Sequence, residues 1–203
     1  MKLVIVDYGM GNIRSIVTTL NYLNVNDITV SDSLQDLEKA DKIILPGVGN
    51  FGKAINQIRS KQIDKYLDEA VLSSGKPLLG ICLGMQLLGM SSSEHGENKG
   101  LGYVNGVVTK FDNTLIKVPH VGFNQVNPNK NSKLFDGISD DADFYFTHSY
   151  RMHSEDNINQ SFCNYQNDFV AAFEVGNLCG VQFHPELSQF NGLRLLKNFI
   201  NNF

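Results

Sequence analysis

Two textures of hydrophobic patterning divide the chain. Leu-Val-Ile-Val at positions 3–6 and Lys-Ile-Ile-Leu at 42–45 are short apolar runs closed by Asp or by Pro-Gly, the pattern of strands buried on both faces of a parallel sheet. Pro-Leu-Leu-Gly-Ile at 77–81 is a third. Between them Ile13, Ile16, Val17 and Leu20 share one face of a 3.6-residue period, as do Ile63, Tyr66, Leu67 and Ala70, which predicts helices. Alternating strands and helices predict a right-handed, doubly wound first half. From about residue 100 the runs become short and alternating: YVNGVVTKF, DFYFTHSY, DFVAAFE and LCGVQF, broken by Gly, Asn and Asp. These predict a strand-rich, partly antiparallel second half, and GLRLLKNFI at 192–200 predicts a closing amphipathic helix. The fold class expected is α/β: an open, largely parallel sheet flanked by helices, with antiparallel strands in the C-terminal half. No repeat or linker interrupts the pattern, so residues 1–203 are expected to form a single domain, and the polar stretch SSSEHGENKG at 91–100 reads as a surface loop.

Composition narrows the partners. With 42% hydrophobic residues among 203 there is enough apolar side chain for one core, and 21 acidic against 17 basic residues give a net charge of −4. No block of Lys or Arg can track a phosphate backbone, so no nucleic-acid partner is expected. No apolar run approaches the ~18 residues of a membrane span, and the apolar run that ends at Asp7 is only four residues long. The expectation is no membrane association and a cytoplasmic location. Cys82, Cys163 and Cys179 are odd in number and form no Cys-x-x-Cys pair, as suits thiols in a reducing compartment. Cys163 and Cys179 lie in strand-like runs and read as small buried hydrophobes. His95, His120, His148 and His153 match no metal-ligand spacing, so no metal and no cofactor is expected. Gly9-Met10-Gly11-Asn12 lacks the dinucleotide fingerprint and reads as a tight turn.

Cys82 is different. It stands between Gly80 and Gly84 where a strand pattern gives way to a helix pattern, the thiol form of the Gly-x-Ser-x-Gly elbow, which needs small neighbours because two chain segments nearly touch. The following helix would add its N-terminal partial charge in favour of thiolate. Taken alone, the pattern also fits a buried core thiol. A nucleophilic cysteine needs a base and a group to orient that base, and Gly-Val-Gln-Phe-His-Pro-Glu at 180–186 offers His184 and Glu186. On an extended chain the two would project to the same side, with Pro185 ending the strand just where the histidine emerges. That pair alone also fits a surface loop. Oxyanion donors are expected from the backbone N–H of Leu83 and from the Pro46-Gly47-Val48-Gly49 turn, where glycines free the backbone to point N–H groups inward.

The motif Gly80-Ile81-Cys82-Leu83-Gly84-Met85-Gln86, with Phe183-His184-Pro185-Glu186 and Pro46-Gly47-Val48-Gly49, resembles the class I (triad) glutamine amidotransferases. The likeness narrows to the glutaminase subunits of imidazole glycerol phosphate synthase through DYGMGNIRS, PGVGNFG, GLG, VPHVGFN, YFTHSY and SQFNGLRLLKNF, which run from end to end of the chain. The resemblance implies hydrolysis of glutamine to glutamate with ammonia passed to a synthase: Cys82 attacks the side-chain amide, His184 shuttles the proton and Glu186 holds its tautomer. It implies an oxyanion hole at Val48, Gly49 and Leu83, and glutamine held by Gly47, Gln86, Ser149 and Tyr150. It implies a (β/α)₈-barrel cyclase as heterodimeric partner in histidine biosynthesis. With Cys82, His184 and Glu186 completing the triad, His120 and His148 are expected in positioning or interface roles. Two departures stand out: Leu187 where the subunit often carries lysine, and Phe123 where many members carry tryptophan. They leave open a paralogue that supplies ammonia for a surface-polysaccharide sugar amidotransferase. A stand-alone thiol hydrolase and an inactive binding subunit are the other readings.

Overall fold

The computed structural model describes residues 1–114 and 116–203. In the first half the strands are β1 (Leu3–Val6), β2 (Ile28–Ser31), β3 (Lys42–Leu45) and β4 (Leu78–Ile81). The helices are α1 (Ile13–Tyr22), α2 (Leu34–Lys39), α3 (Phe51–Ser60), α4 (Ile63–Leu67), which widens into a π turn at Asp68–Ser73, and α5 (Leu83–Leu87). The second half runs through β5 (Ser91–Ser92), β6 (Asn98–Lys99), β7 (Val107–Lys110), β8 (His120–Gln125), β9 (Asp143–His148) and β10 (Tyr150–His153). It ends with β11 (Ser161–Tyr165), β12 (Asn167–Val175), β13 (Leu178–Val181), a 3-10 turn at Pro185–Leu187 and α6 (Gln189–Asn202).

The main sheet has seven strands in the order β11-β12-β13-β4-β3-β1-β2. Strands β2, β1, β3, β4 and β13 are mutually parallel, and β12 and β11 extend the sheet antiparallel. This is the largely parallel sheet with an antiparallel C-terminal edge that the patterning predicts. Strands β1, β3, β4 and β13 are buried along their whole length, which explains why the first three read as continuous apolar runs; β13, expected among the alternating runs of the second half, is instead buried on both faces. Alternation still sorts them by face. Val4, Val6, Ile43 and Leu45 pack with Ile55, Ile58 and Leu67 of α3 and α4, whereas Leu3, Ile5 and Ile44 pack with Ile16 and Leu20 of α1 and Leu195 and Phe199 of α6. The predicted face at Ile63, Leu67 and Ala70 is buried, but Tyr66 is only partly so, and Val71 joins the core because the π turn shifts the period.

Two smaller sheets, β10-β7-β5-β6 and β8-β9, stand beside the main one. Residues 91–100, expected as a plain surface loop, instead form the β5-β6 ladder. From its turn the Glu94 carboxylate accepts the backbone N–H of Phe51 at 2.7 Å, which ties the start of α3 to this hairpin.

Candidate active site

β4 and β13 end side by side, with Ile81 opposite Val181, and the Cys82 N–H donates to the Val181 carbonyl at 2.8 Å. The residues that follow each strand are therefore delivered to the same carboxyl edge of the sheet, where open α/β sheets place their sites. At the end of β4 the chain reverses sharply: Cys82 has φ 53° and ψ −109°, a left-handed conformation that costs a non-glycine residue roughly 1–3 kcal/mol. The two flanking glycines make the reversal possible. A Cβ on Gly80 would lie 2.7 Å from the Met85 nitrogen, and one on Gly84 would lie 1.9 Å from the Leu45 carbonyl oxygen. The helix after the elbow, α5, spans only five residues, so what it offers is a few free N–H groups at its start rather than a long dipole.

His184 and Glu186 meet, but not along a strand as the sequence suggests. β13 stops at Val181, His184 is extended, and Pro185 starts the 3-10 turn that brings Glu186 back beneath the ring. The His184 Nδ1 lies 2.9 Å from Glu186 Oε1 with both side chains buried, and neither His184 Nε2 nor Glu186 Oε2 has a hydrogen-bond partner. Ser188 fixes the turn: its hydroxyl donates to the His184 carbonyl at 2.6 Å and accepts the Tyr145 N–H at 2.9 Å. Burial alone would lower the His184 pKa; the Cys82 sulfur and the Glu186 carboxylate outweigh it and hold the ring above its ordinary value.

Cys82, Leu83, Val48, Gly49, Gln86, Ser149, Tyr150 and His184 line one cleft of about 300 Å³, together with Glu94, Pro119, Thr147 and His148. That is the small end of the range for a bound metabolite. Gly49 has φ +97°, while Gly47 lies beneath the cleft wall, where a Cβ would meet the Tyr8 hydroxyl at 2.6 Å and the Gly84 nitrogen at 2.7 Å. The buried Tyr8 hydroxyl donates to the Pro46 carbonyl at 2.8 Å and so holds the turn from below. Gln86 spends both amide protons, on the Tyr150 carbonyl at 2.9 Å and on Gln182 Oε1 at 2.8 Å, which leaves its own carbonyl oxygen to face the cleft. Glu94 and Gln182 carry no expectation from the sequence. A polar residue inside the apolar run LCGVQF was the available signal for the second.

His120 and His148 are both buried, so neither ring presents a surface for a partner. The His148 Nδ1–H donates to the Tyr150 carbonyl at 2.8 Å, which leaves Nε2 to accept from His120 Nδ1 at 3.0 Å. Burial pushes the His120 pKa down to about 4 and that of His148 to about 3. The thiols of Cys163 and Cys179 are buried as expected, and burial pushes that of Cys163 up to about 12. Among the described residues no three His, Cys, Asp or Glu side chains stand together as a metal site, and no helix is long and apolar enough to cross a membrane.

Residues 4–203 match the family model for class-I glutamine amidotransferase. The chain belongs to that family. Imidazole glycerol phosphate synthase subunit HisH 2 of Vibrio vulnificus is 41% identical over 202 residues, 99% of this chain and 94% of its own. Subunit HisH of Aquifex aeolicus is 40% identical over 200 residues, 98% of this chain and 96% of its own. Among solved structures, a glutamine amidotransferase superposes with TM-score 0.75 at 18% identity over 97% of this chain and 96% of its own, and PurLQS of Thermotoga maritima with TM-score 0.70 at 20% over 99% and 98%. At that identity they show a shared amidotransferase fold. The strained elbow, the His-Glu turn and the glycine turn over Tyr8 thus sit in an amidotransferase chain, at the carboxyl edge of its parallel strands.

Proposed function

We propose that the chain is the glutaminase subunit of an imidazole glycerol phosphate synthase, folded as one amidotransferase domain over residues 1–203 and working in the cytoplasm with a (β/α)₈-barrel cyclase. Glutamine is its substrate. The observation that carries the reading is the meeting of Cys82 and His184 in one cleft, with His184 backed by Glu186 at 2.9 Å and its other nitrogen free.

In this reading the Cys82 thiolate attacks the glutamine amide carbon while protonated His184 gives its proton to the departing ammonia, leaving a glutamyl thioester. Neutral His184 then takes a proton from water as that water attacks the thioester, which releases glutamate and restores the thiolate and the protonated ring. Glu186 stabilises the imidazolium at both stages. The Leu83 N–H, first in α5 and without an intrahelical acceptor, and N–H groups of Val48 and Gly49 serve the oxyanion. The Gln86 carbonyl oxygen and the backbone of Ser149 and Tyr150 hold the substrate, and Gly47 acts from beneath by letting the oxyanion turn lie against Tyr8. The cyclase docks over the cleft mouth; Leu187, Phe123 and Phe190 are apolar side chains left 41%, 49% and 82% exposed, and the last two border one separate groove.

The test is Cys82→Ser in the assembled complex: glutamine-dependent synthesis is lost while synthesis driven by ammonium salt persists. Equal loss of both would point to a docking defect, and full glutaminase activity would end the assignment. Exposed Leu187 and Phe123, apolar at the two positions where the chain departs from the subunit's usual residues, favour a second reading, ammonia supply to a surface-sugar amidotransferase. Activation by a sugar-pathway barrel, with none by the histidine-pathway cyclase and its ribonucleotide, would select it.

A further inference from the structure

We propose that Gln182 is a positioning residue for the nucleophile, its amide N–H held on the Cys82 sulfur by a donor–acceptor chain that ends on the Tyr150 carbonyl. The inference deepens the glutaminase reading and rests on it for its meaning in turnover.

Gln182 follows β13 and is fully buried. A buried amide left unpaired costs about 1–3 kcal/mol, so its presence here calls for partners, and it has two. Its Oε1 accepts from Gln86 Nε2 at 2.8 Å, and its Nε2 lies 3.7 Å from Cys82 Sγ, within reach for a sulfur acceptor.

The orientation of both amides is settled by chemistry alone. The Tyr150 carbonyl can only accept, so the Gln86 group 2.9 Å from it is the NH₂. That same NH₂ faces Gln182, so the Gln182 atom opposite it is the oxygen. The Gln182 end that faces the sulfur is then the NH₂. Turning Gln86 over would set oxygen against oxygen, and turning Gln182 over would set NH₂ against NH₂, each at hydrogen-bond distance. The anchor is itself firm, because the Tyr150 carbonyl also accepts from His148 Nδ1 at 2.8 Å and so has both lone pairs occupied.

The sulfur therefore has a fixed N–H donor from Gln182 as well as His184 in the same cleft. An N–H dipole favours the thiolate over the thiol. It also restricts the side chain of a residue whose backbone is already held in a left-handed turn. No charge needs to be buried for this, which suits an apolar floor. Gln86 then has two jobs, one toward substrate and one toward Gln182.

The experiment follows alkylation of the full chain by iodoacetamide across pH, with the modified residue mapped by mass. Burial raises the thiols of Cys163 and Cys179, so Cys82 supplies the signal. Gln182→Leu is expected to move the alkylation midpoint up by about one pH unit, the equivalent of ~1.4 kcal/mol. Gln86→Leu, which never touches the sulfur but frees the Gln182 amide to turn, should move it in the same direction, and the double variant no further than Gln182→Leu. A folded Gln182→Leu with an unmoved midpoint overturns the proposal, and so does an additive double variant. Should Gln182→Leu fail to fold, Gln182→Met and Gln86→Leu give the same readout. Alkylation needs no glutamine, so a shifted midpoint in a chain without glutaminase activity would keep Gln182 in its role and remove the glutaminase reading instead.

Discussion

Replacing Gly84 by alanine sets two effects of opposite sign against each other. Alanine in place of glycine within a helix is worth up to about 1 kcal/mol, and Gly84 lies in α5. Against this, the new Cβ would lie 1.9 Å from the Leu45 carbonyl oxygen, 2.8 Å from the Leu45 carbonyl carbon and 3.2 Å from the Pro46 carbonyl carbon. All three are backbone atoms of β3 and the turn after it, so no rotamer change relieves the clash. Relief requires the elbow and β3 to part by about 1 Å in a close-packed interior, which places the cost at or above the ~3 kcal/mol end of overpacking. The net expectation is a loss of about 2 kcal/mol or more. Urea unfolding at neutral pH measures it as a lower midpoint at unchanged slope. Gly75→Ala is the control: its φ of +70° carries left-handed strain but no atom lies within 4 Å, so it should cost only about 1 kcal/mol. The same displacement separates Cys82 from the Pro46–Gly49 turn, so residual folded Gly84→Ala should lose about 10²-fold in glutaminase rate. A Gly84→Ala chain as stable as the parent would refute the account of why the elbow has glycines.

Glu186→Gln keeps a hydrogen-bond acceptor for His184 Nδ1 but removes the charge that supports the imidazolium, so kcat should fall by about 10²–10⁴ with KM little changed; a fall in affinity alone would count against the role given to Glu186. His148→Gln should flatten the acid side of the stability curve: native His148 takes a proton only near pH 3 and the unfolded chain near 6.5, so the parent loses up to about 2 kcal/mol between pH 6.5 and 5 that the variant keeps, as denaturation at several pH values would show. Leu187→Lys should weaken assembly with the cyclase or leave it unchanged, because an exposed apolar contact resists salt and a new surface charge gains little; a gain in affinity that vanishes at high salt would mean that the partner offers an unpaired carboxylate.

How much of this was legible depends on whether the cause lay in neighbouring residues. β1, β3 and β4 could be read because strands buried on both faces show it as unbroken apolar runs. β2 is an edge strand with the sequence Ile-Thr-Val-Ser and no buried residue, so its pattern carries little. Gly80 was readable because Met85, which crowds it, lies in the same elbow; Gly84 is crowded by the distant Leu45 carbonyl of β3 and was readable only because the elbow pattern carries both glycines together. The 91–100 hairpin was not, since the contact that gives it a purpose, Glu94 on the Phe51 N–H, spans 43 positions. The His-x-Glu pairing was found for an incomplete reason: adjacency brings the two together, but through a 3-10 turn begun by Pro185 rather than along a strand. Gln182 was hidden by its partners, one of them 100 residues away.

The three histidines of the site show why residue type alone could not assign roles. His184 faces a carboxylate and a sulfur, and their charge overcomes burial and raises its pKa. His148 faces a carbonyl and a second imidazole, which satisfy hydrogen bonds but supply no countercharge, so burial wins and the ring stays neutral. The stability consequences have opposite signs. The His184 contribution is complete below its unfolded pKa near 6.5 and erodes as pH rises toward its higher native value; those of His120 and His148 are complete above 6.5 and erode as pH falls toward 4 and 3. Environments that push like groups apart in this way are how one site keeps a proton donor beside neutral scaffolding. Here the scaffolding ends on the Tyr150 carbonyl, which takes His148 from one side and Gln86 from the other. A ring that gained charge at His148 would therefore disturb the same carbonyl that orients Gln86 and, through it, the donor on Cys82.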